Sequence, residues 1–128
     1  MRDAPRVLII DDDPEIVQAI AIRLGAAGYD VITAHDAEQG IDLALETRPD
    51  VVVMDIQMPT MDGLTALALI HAHSATQNTP VVVLSACSSA RRHALQMGAR
   101  YFLDKPFNVK ALLEAIEGSM AEEAVGVE

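Results

Sequence analysis

Polar residues that could bind a metal ion or a phosphoryl group follow four short apolar runs of the sequence. Carboxylate oxygens are the ligands that Mg²⁺ prefers, with Mn²⁺ as a similar substitute. A carboxylate beside a bound cation could attack a phosphoryl group, and a lysine and a hydroxyl could hold the oxygens of that group. The set therefore indicates phosphoryl chemistry with a divalent cation. In chain order its members are Asp11, Asp12, Asp13, Asp55, Ser85 and Lys105.

The elements that must position these residues form an alternating pattern. Five apolar runs rich in Val and Ile have the length of buried strands, and segments with helical spacing of apolar residues lie between them. Strand–helix alternation predicts an α/β fold, (βα)5, with a doubly wound parallel sheet covered on both faces. Ligands bind such sheets beyond the carboxyl ends of the strands, so the polar residues should converge there. The runs are residues 7–10, 31–34, 51–54, 81–84 and 101–103.

Short polar residues and glycines mark the predicted helix ends. Asp13, Asp36 and Asn108 are expected N-caps, because a side-chain oxygen at that position accepts a backbone N–H. Gly28 and Gly98 stand where helices should stop. Asp13 is thus interpreted as a cap rather than as a member of the metal site.

Composition excludes several classes of protein. The 128 residues include 9 Lys+Arg against 19 Asp+Glu, a net charge of −10, which argues against binding of nucleic acid by this chain. Arg91 and Arg92, an adjacent basic pair, are interpreted as solvated surface, with a docking role as the alternative. We find no apolar run long enough to span a membrane and no signal peptide, and the lone cysteine suits a reducing cytoplasm. We expect one cytoplasmic domain over residues 6–120, with loosely held tails at 1–5 and 121–128.

Four segments resemble those of one protein family. The chain contains IIDDDP, VVVMDIQMPTMDG, VVVLSA and GARYFLDKPF in this order, each at a predicted strand end. These segments resemble the receiver domains of response regulators, the phosphoacceptor modules of bacterial two-component signalling and phosphorelays. The resemblance covers residues 6–120 and implies a flavodoxin-like sheet with strand order 2-1-3-4-5.

The resemblance implies a role for each polar residue. Asp55 would be the phosphoacceptor. Asp11 and Asp12 would be the acidic pair of a Mg²⁺ site, Asp12 as a direct ligand and Asp11 through water. The backbone carbonyl of Gln57 would be a further ligand beside Asp55.

The last two motifs carry the implied switch residues. Ser85 would be the switch hydroxyl, and Phe102 would be the aromatic switch residue. Lys105 would be the phosphate-binding lysine, and the peptide bond between Lys105 and Pro106 would be cis. The interval from Ser85 to Lys105 is 20 residues, shorter than we expect for the family. We place the missing residues in the loop after the fourth strand or in the fourth helix.

The implied partners are a sensor histidine kinase or a histidine phosphotransfer protein upstream and an unknown protein downstream. Formation of a homodimer is left as an open alternative. The chain would be a switch that acts on itself rather than a turnover enzyme. Alternatives are a pseudo-receiver that is never phosphorylated and a phosphatase using Asp11 and Asp13 as nucleophile and acid. A flavodoxin-like FMN protein is disfavoured, because no Gly/Ser/Thr-rich phosphate loop follows the first run.

Overall fold

Strands and helices alternate through the residues that the computed structural model describes, 4–58 and 61–125. A short 3₁₀ turn, Ser88–Ala90, precedes the fourth helix. The elements are β1 Arg6–Ile10, α1 Pro14–Ala26, β2 Asp30–Ala34, α2 Ala37–Thr47, β3 Val51–Asp55, α3 Gly63–Ala72, β4 Val81–Ser85, α4 Arg91–Gln96, β5 Tyr101–Asp104 and α5 Val109–Val125.

The strands of the described chain form one parallel sheet in the order β2-β1-β3-β4-β5. The α/β class and the strand order are therefore confirmed. All residues of β3 and β4 are buried, which explains why these strands read as unbroken apolar runs rather than as alternating ones. Successive side chains of β1 enter different cores: Leu8 and Ile10 pack with α2, α3 and α4, and Val7 and Ile9 pack with α1 and α5.

The helix caps lie where the sequence predicts them. The side chain of Asp13 accepts the N–H groups of Glu15 and Ile16 at the start of α1. Asp36 accepts the N–H of Gln39 at 2.8 Å. Helix α5 is preceded by the third predicted cap, the side chain of Asn108, which accepts a backbone N–H at 2.7 Å.

Glycines follow α1 and α4, as predicted. Gly28 has φ of 96° and Gly98 has φ of 107°, in a region that residues with a Cβ rarely adopt. The Lys105-Pro106 bond is cis, as the resemblance implies.

Three strands extend beyond the carboxyl ends of their apolar runs. The ladder continues through polar residues, because Asp55 pairs with Leu84 and Ser85 pairs with Asp104 in parallel register. Two of the candidate site residues, Asp55 and Ser85, are thus the last residues of β3 and β4 rather than loop residues. The sheet itself fixes their positions.

Two further differences concern helices. Helix α5 continues to Val125, past the boundary at residue 120, and residues 126–128 lie outside the described ones. Helix α4 has 6 residues, the fewest of the described α-helices, and follows the 3₁₀ turn directly. This short helix lies within the interval between Ser85 and Lys105. Across the described residues, no helix is long and apolar enough to cross a membrane.

Candidate functional site

The centre of the site is the carboxylate of Asp55 at the end of β3. Asp55 is 5% exposed, so both carboxylate oxygens need hydrogen bonds from protein groups. Oδ1 accepts the N–H of Gln57 at 2.9 Å, and Oδ2 accepts a hydrogen bond from Nζ of Lys105 at 3.0 Å. The structure thus brings together the predicted phosphoacceptor and the predicted phosphate-binding lysine, which are 50 residues apart in the chain.

Asp11 lies beside Asp55 at the end of β1 and is 1% exposed. Its Oδ1 accepts the N–H of Asp13 at 2.9 Å. Its Oδ2 is 3.5 Å from Nζ of Lys105 and is the one buried side-chain oxygen or nitrogen, among the described residues, that has no hydrogen bond. Buried carboxylate oxygens are normally satisfied, so this oxygen marks a place where a cation would be favourable.

Asp12 completes an acidic cluster and, unlike its neighbour, is exposed. One carboxylate oxygen from each of Asp11, Asp12 and Asp55 lies within 4.8 Å of the others. Three carboxylate oxygens suit Mg²⁺, which is a hard cation. Because Asp12 is exposed, one side of the cluster faces solvent, and this suits an ion that usually keeps several waters. The residues present therefore fit the implied metal. The exposed Gln57 follows the cluster, and its carbonyl as a ligand stays a prediction.

Burial and the charges of the cluster shift the pKa values of two groups, Asp11 and Lys105. Burial raises the pKa of Asp11, and the nearby Asp55 charge acts in the same direction; the Asp13 N–H and Lys105 oppose the shift without cancelling it. Burial alone would lower the pKa of Lys105, but its hydrogen bond to Asp55 and the charges of both carboxylates together raise it. One ammonium therefore offsets two buried carboxylates incompletely.

Ser85 is fully buried at the end of β4, next to the site. Its hydroxyl accepts the N–H of Cys87 at 3.0 Å and donates to the carbonyl of Cys87 at 3.5 Å, in the loop that follows the strand. Its carbonyl accepts the N–H of Lys105 at 2.8 Å, which ties the end of β4 to the residue after β5. Ser85 and Lys105 are thus joined through the backbone, while the hydroxyl is bonded locally.

Phe102 is 4% exposed and belongs to the core that contacts α2, α3 and α4. The guanidinium of Arg91 lies over its ring, 5.0 Å from the centroid. Arg91 also forms an ion pair with Asp104, with 3.0 Å between its Nη2 and Oδ2. Arg91 is exposed, as the interpretation of a solvated surface predicts, and in addition contacts two residues of β5. No local pattern of the sequence signals this contact, which spans 13 residues.

The sequence of this chain is similar to those of proteins in one family. The family model for the response regulator receiver domain matches residues 7–117. The dual master transcriptional regulator RpaA of Synechocystis is 37% identical over 88% of this chain and 47% of its own length. The protein-glutamate methylesterase/protein-glutamine glutaminase 1 of Anaeromyxobacter dehalogenans is 41% identical over 87% of this chain and 32% of its own. The chain thus spans about half the length, or less, of these curated relatives.

Solved structures extend the likeness to the whole fold. Chemotaxis protein CheY4 of Vibrio cholerae superposes with a TM-score of 0.85 at 30% identity, covering 91% of this chain and 98% of its own. The response regulator TrrA of Thermotoga maritima, solved in complex with Mg²⁺-BeF, gives a TM-score of 0.82 at 27% identity, with coverages of 90% and 98%. Sequence, sheet order and the family match agree that the chain belongs to the response regulator receiver domains of two-component signalling.

Proposed function

We propose that Asp55 accepts a phosphoryl group from a phosphohistidine of a sensor histidine kinase or a histidine phosphotransfer protein. The observation that carries this proposal is the convergence of one lysine and three carboxylates at the end of the sheet. Asp55 itself accepts hydrogen bonds from Gln57 and Lys105. These contacts hold the carboxylate in one orientation, which lowers the entropic cost of reaching an in-line attack.

In the proposed reaction, an oxygen of Asp55 forms a bond to phosphorus. The phosphorus–nitrogen bond of the donor breaks, and its electron pair leaves with the imidazole. Lys105, which donates to Oδ2 of Asp55, can transfer its hydrogen bond to a phosphoryl oxygen. The hydroxyl of Ser85 can move its 3.5 Å hydrogen bond from the carbonyl of Cys87 to another phosphoryl oxygen while still accepting the N–H of Cys87. Positioning and charge neutralisation are the main demands of phosphoryl transfer.

A divalent cation completes the proposed site. Asp11, Asp12, Asp55 and the carbonyl of Gln57 would hold Mg²⁺, or Mn²⁺ in its place. When bound, the cation would neutralise part of the negative charge that the carboxylates and the phosphoryl oxygens share. The buried oxygen of Asp11 that has no hydrogen bond supports this assignment, and so does the Mg²⁺-BeF complex of TrrA.

The chain would act as a cytoplasmic switch on itself rather than as a turnover enzyme. Hydrogen bonds from Ser85 and Lys105 to the phosphoryl group would bias the ends of β4 and β5, and with them a surface near Phe102 that a downstream protein reads. The net charge of −10 supports a protein partner rather than nucleic acid for this chain.

The test is the intact mass of the protein after incubation with a small phosphodonor and Mg²⁺. We expect one added phosphoryl group on the wild type and none on Asp55→Asn, whose amide is a poor nucleophile. Addition to both proteins would exclude Asp55 as the acceptor. Addition to neither would favour a pseudo-receiver.

Hydrolysis of small phosphomonoesters tests the phosphatase alternative in the same samples. That mechanism needs Asp13 as the acid, but the Asp13 carboxylate accepts two N–H groups as the cap of α1. We therefore expect no steady turnover. Sustained phosphate release that Asp13→Asn abolishes would contradict the proposed function.

A further inference from the structure

Arg91 connects the start of α4 to the end of β5. Phe102 and Asp104 are two residues apart, so their side chains lie on the same face of the strand. The guanidinium of Arg91 contacts both, the ring at 5.0 Å and the carboxylate at 3.0 Å. These three residues form what we name the β5 clamp.

The β5 clamp adds a side-chain restraint at the exposed end of an edge strand. β5 is an edge of the sheet and pairs only with β4 among the described strands. Its last residue, Asp104, directly precedes Lys105. The backbone from which Lys105 extends is thus held by two contacts, its N–H on the carbonyl of Ser85 and the ion pair one residue earlier.

We propose that Arg91 is a positioning residue for phosphoryl binding. It fixes the end of β5 so that Lys105 keeps its reach toward Asp55, with 3.0 Å between Nζ and Oδ2. This inference rests on the proposed function, because it assigns Arg91 a part in the same phosphoryl site. Arg91 touches none of the carboxylates of the acidic cluster, and therefore acts only through β5.

The expected effect is modest and selective. Both side chains of the ion pair are 48% exposed, and contacts of this kind are individually weak. Losing the β5 clamp should loosen Lys105 while leaving the ligands of the cation in place. Binding of a phosphoryl mimic should therefore weaken, whereas binding of Mg²⁺ alone should not change.

The experiment measures two affinities by amide chemical-shift titration of the full chain, one for Mg²⁺ and one for beryllofluoride at saturating Mg²⁺. Arg91→Gln should weaken beryllofluoride binding about three- to fivefold, the size expected from a solvent-exposed ion pair and cation–π contact. Arg91→Lys should recover part of the loss, because it keeps a cation over the ring. The matched control is Arg92→Gln, at the adjacent exposed arginine, which should equal the wild type.

Asp104→Asn tests the other half of the ion pair. It should weaken beryllofluoride binding in the same way, and the double variant with Arg91→Gln should lose less than the two single losses combined. Mg²⁺ affinity equal to that of the wild type will show that each variant retains the folded site.

Three results would overturn the role of Arg91: unchanged beryllofluoride affinity in Arg91→Gln, an equal loss in Arg92→Gln, or a parallel loss of Mg²⁺ affinity. A wild type that binds Mg²⁺ but no beryllofluoride would instead refute the proposed function, and the inference with it. Failure of the positioning role alone leaves wild-type binding intact, so the two failures are distinguishable.

Discussion

The charged residues at the two ends of the sheet differ in how completely they are paired. At the amino end, Arg6 donates from Nε to Asp30 at 3.0 Å and from Nη1 to the carbonyl of Thr47 at 3.1 Å. Its backbone N–H donates to Asp50 at 2.7 Å. At the carboxyl end, Lys105 faces two carboxylates, those of Asp11 and Asp55, and one of their oxygens has no hydrogen bond.

The carboxylates at the two ends of the sheet also differ in their exposure to solvent. The side chain of Asp30 is 48% exposed, whereas those of Asp11 and Asp55 are 1% and 7% exposed. Charges that water can solvate need little from their partners, whereas buried charges need a cation or a proton. The amino end is therefore built for stability, and the carboxyl end keeps an electrostatic cost that ligands can relieve.

Removing the cation from each end should show the largest contrast. Lys105→Met leaves two buried carboxylates without their ammonium, and we expect it to lower the free energy of unfolding by about 2 kcal/mol at pH 7 without Mg²⁺. Arg6→Met should cost about 1 kcal/mol, because Asp30 stays solvated. Urea denaturation of both variants measures the difference. A larger loss for Arg6→Met would reverse the comparison.

Addition of Mg²⁺ should stabilise the protein through the carboxyl end alone. At a concentration ten times its dissociation constant, Mg²⁺ should raise the free energy of unfolding by about 1.4 kcal/mol. The rise should shrink in Asp12→Asn and persist in Asp30→Asn, the control at the amino end. Thermal unfolding with and without Mg²⁺ provides the measurement, and equal rises in both variants would remove Asp12 from the site.

Neutralising one acid at each end should give small effects of opposite sign. The raised pKa of Asp11 means that the folded state binds its proton more tightly than the unfolded state does. Stability is therefore lost as the pH rises from the ordinary pKa of an aspartate through the raised value. Above that interval and without Mg²⁺, Asp11→Asn should stabilise the protein by about 1 kcal/mol.

Asp30→Asn, the counterpart of Asp11→Asn, should destabilise by about 0.5 kcal/mol through loss of its pair with Arg6. Urea denaturation at pH 7 and at pH 3 checks both signs, since protonation at pH 3 should remove most of the benefit of Asp11→Asn. A destabilised Asp11→Asn at pH 7 would show that its attraction to Lys105 outweighs its burial.

Parallel topology explains why so much of the site could be predicted from the sequence. The carboxyl ends of all strands in a parallel sheet lie at the same edge. Residues that follow the apolar runs therefore come close together, as Asp11, Asp55 and Lys105 do. The N-cap at Asp13 could also be predicted, because the N–H groups that it accepts belong to the next few residues of the chain. Local chemistry and topology together were sufficient for these features.

Contacts between distant side chains could not be predicted in this way. The position of Arg91 over Phe102 depends on how the short α4 lies against the edge strand, which no periodicity encodes. The local bond between the Ser85 hydroxyl and Cys87 depends on the backbone path of the loop. That one oxygen of Asp11 is buried without a hydrogen bond can be recognised only when the burial and every neighbouring donor are known.

The loop between Ser85 and Arg91 holds Cys87, the single cysteine of the chain. Its thiol is half-buried and contacts the hydroxyl of Ser89 at 3.0 Å. A maleimide dye would therefore attach at one position, between the proposed switch hydroxyl and the β5 clamp. Because the sequence contains no tryptophan, such a dye would give a fluorescence signal free of intrinsic background from that residue. Native chemistry thus offers a reporter on this loop that requires no substitution.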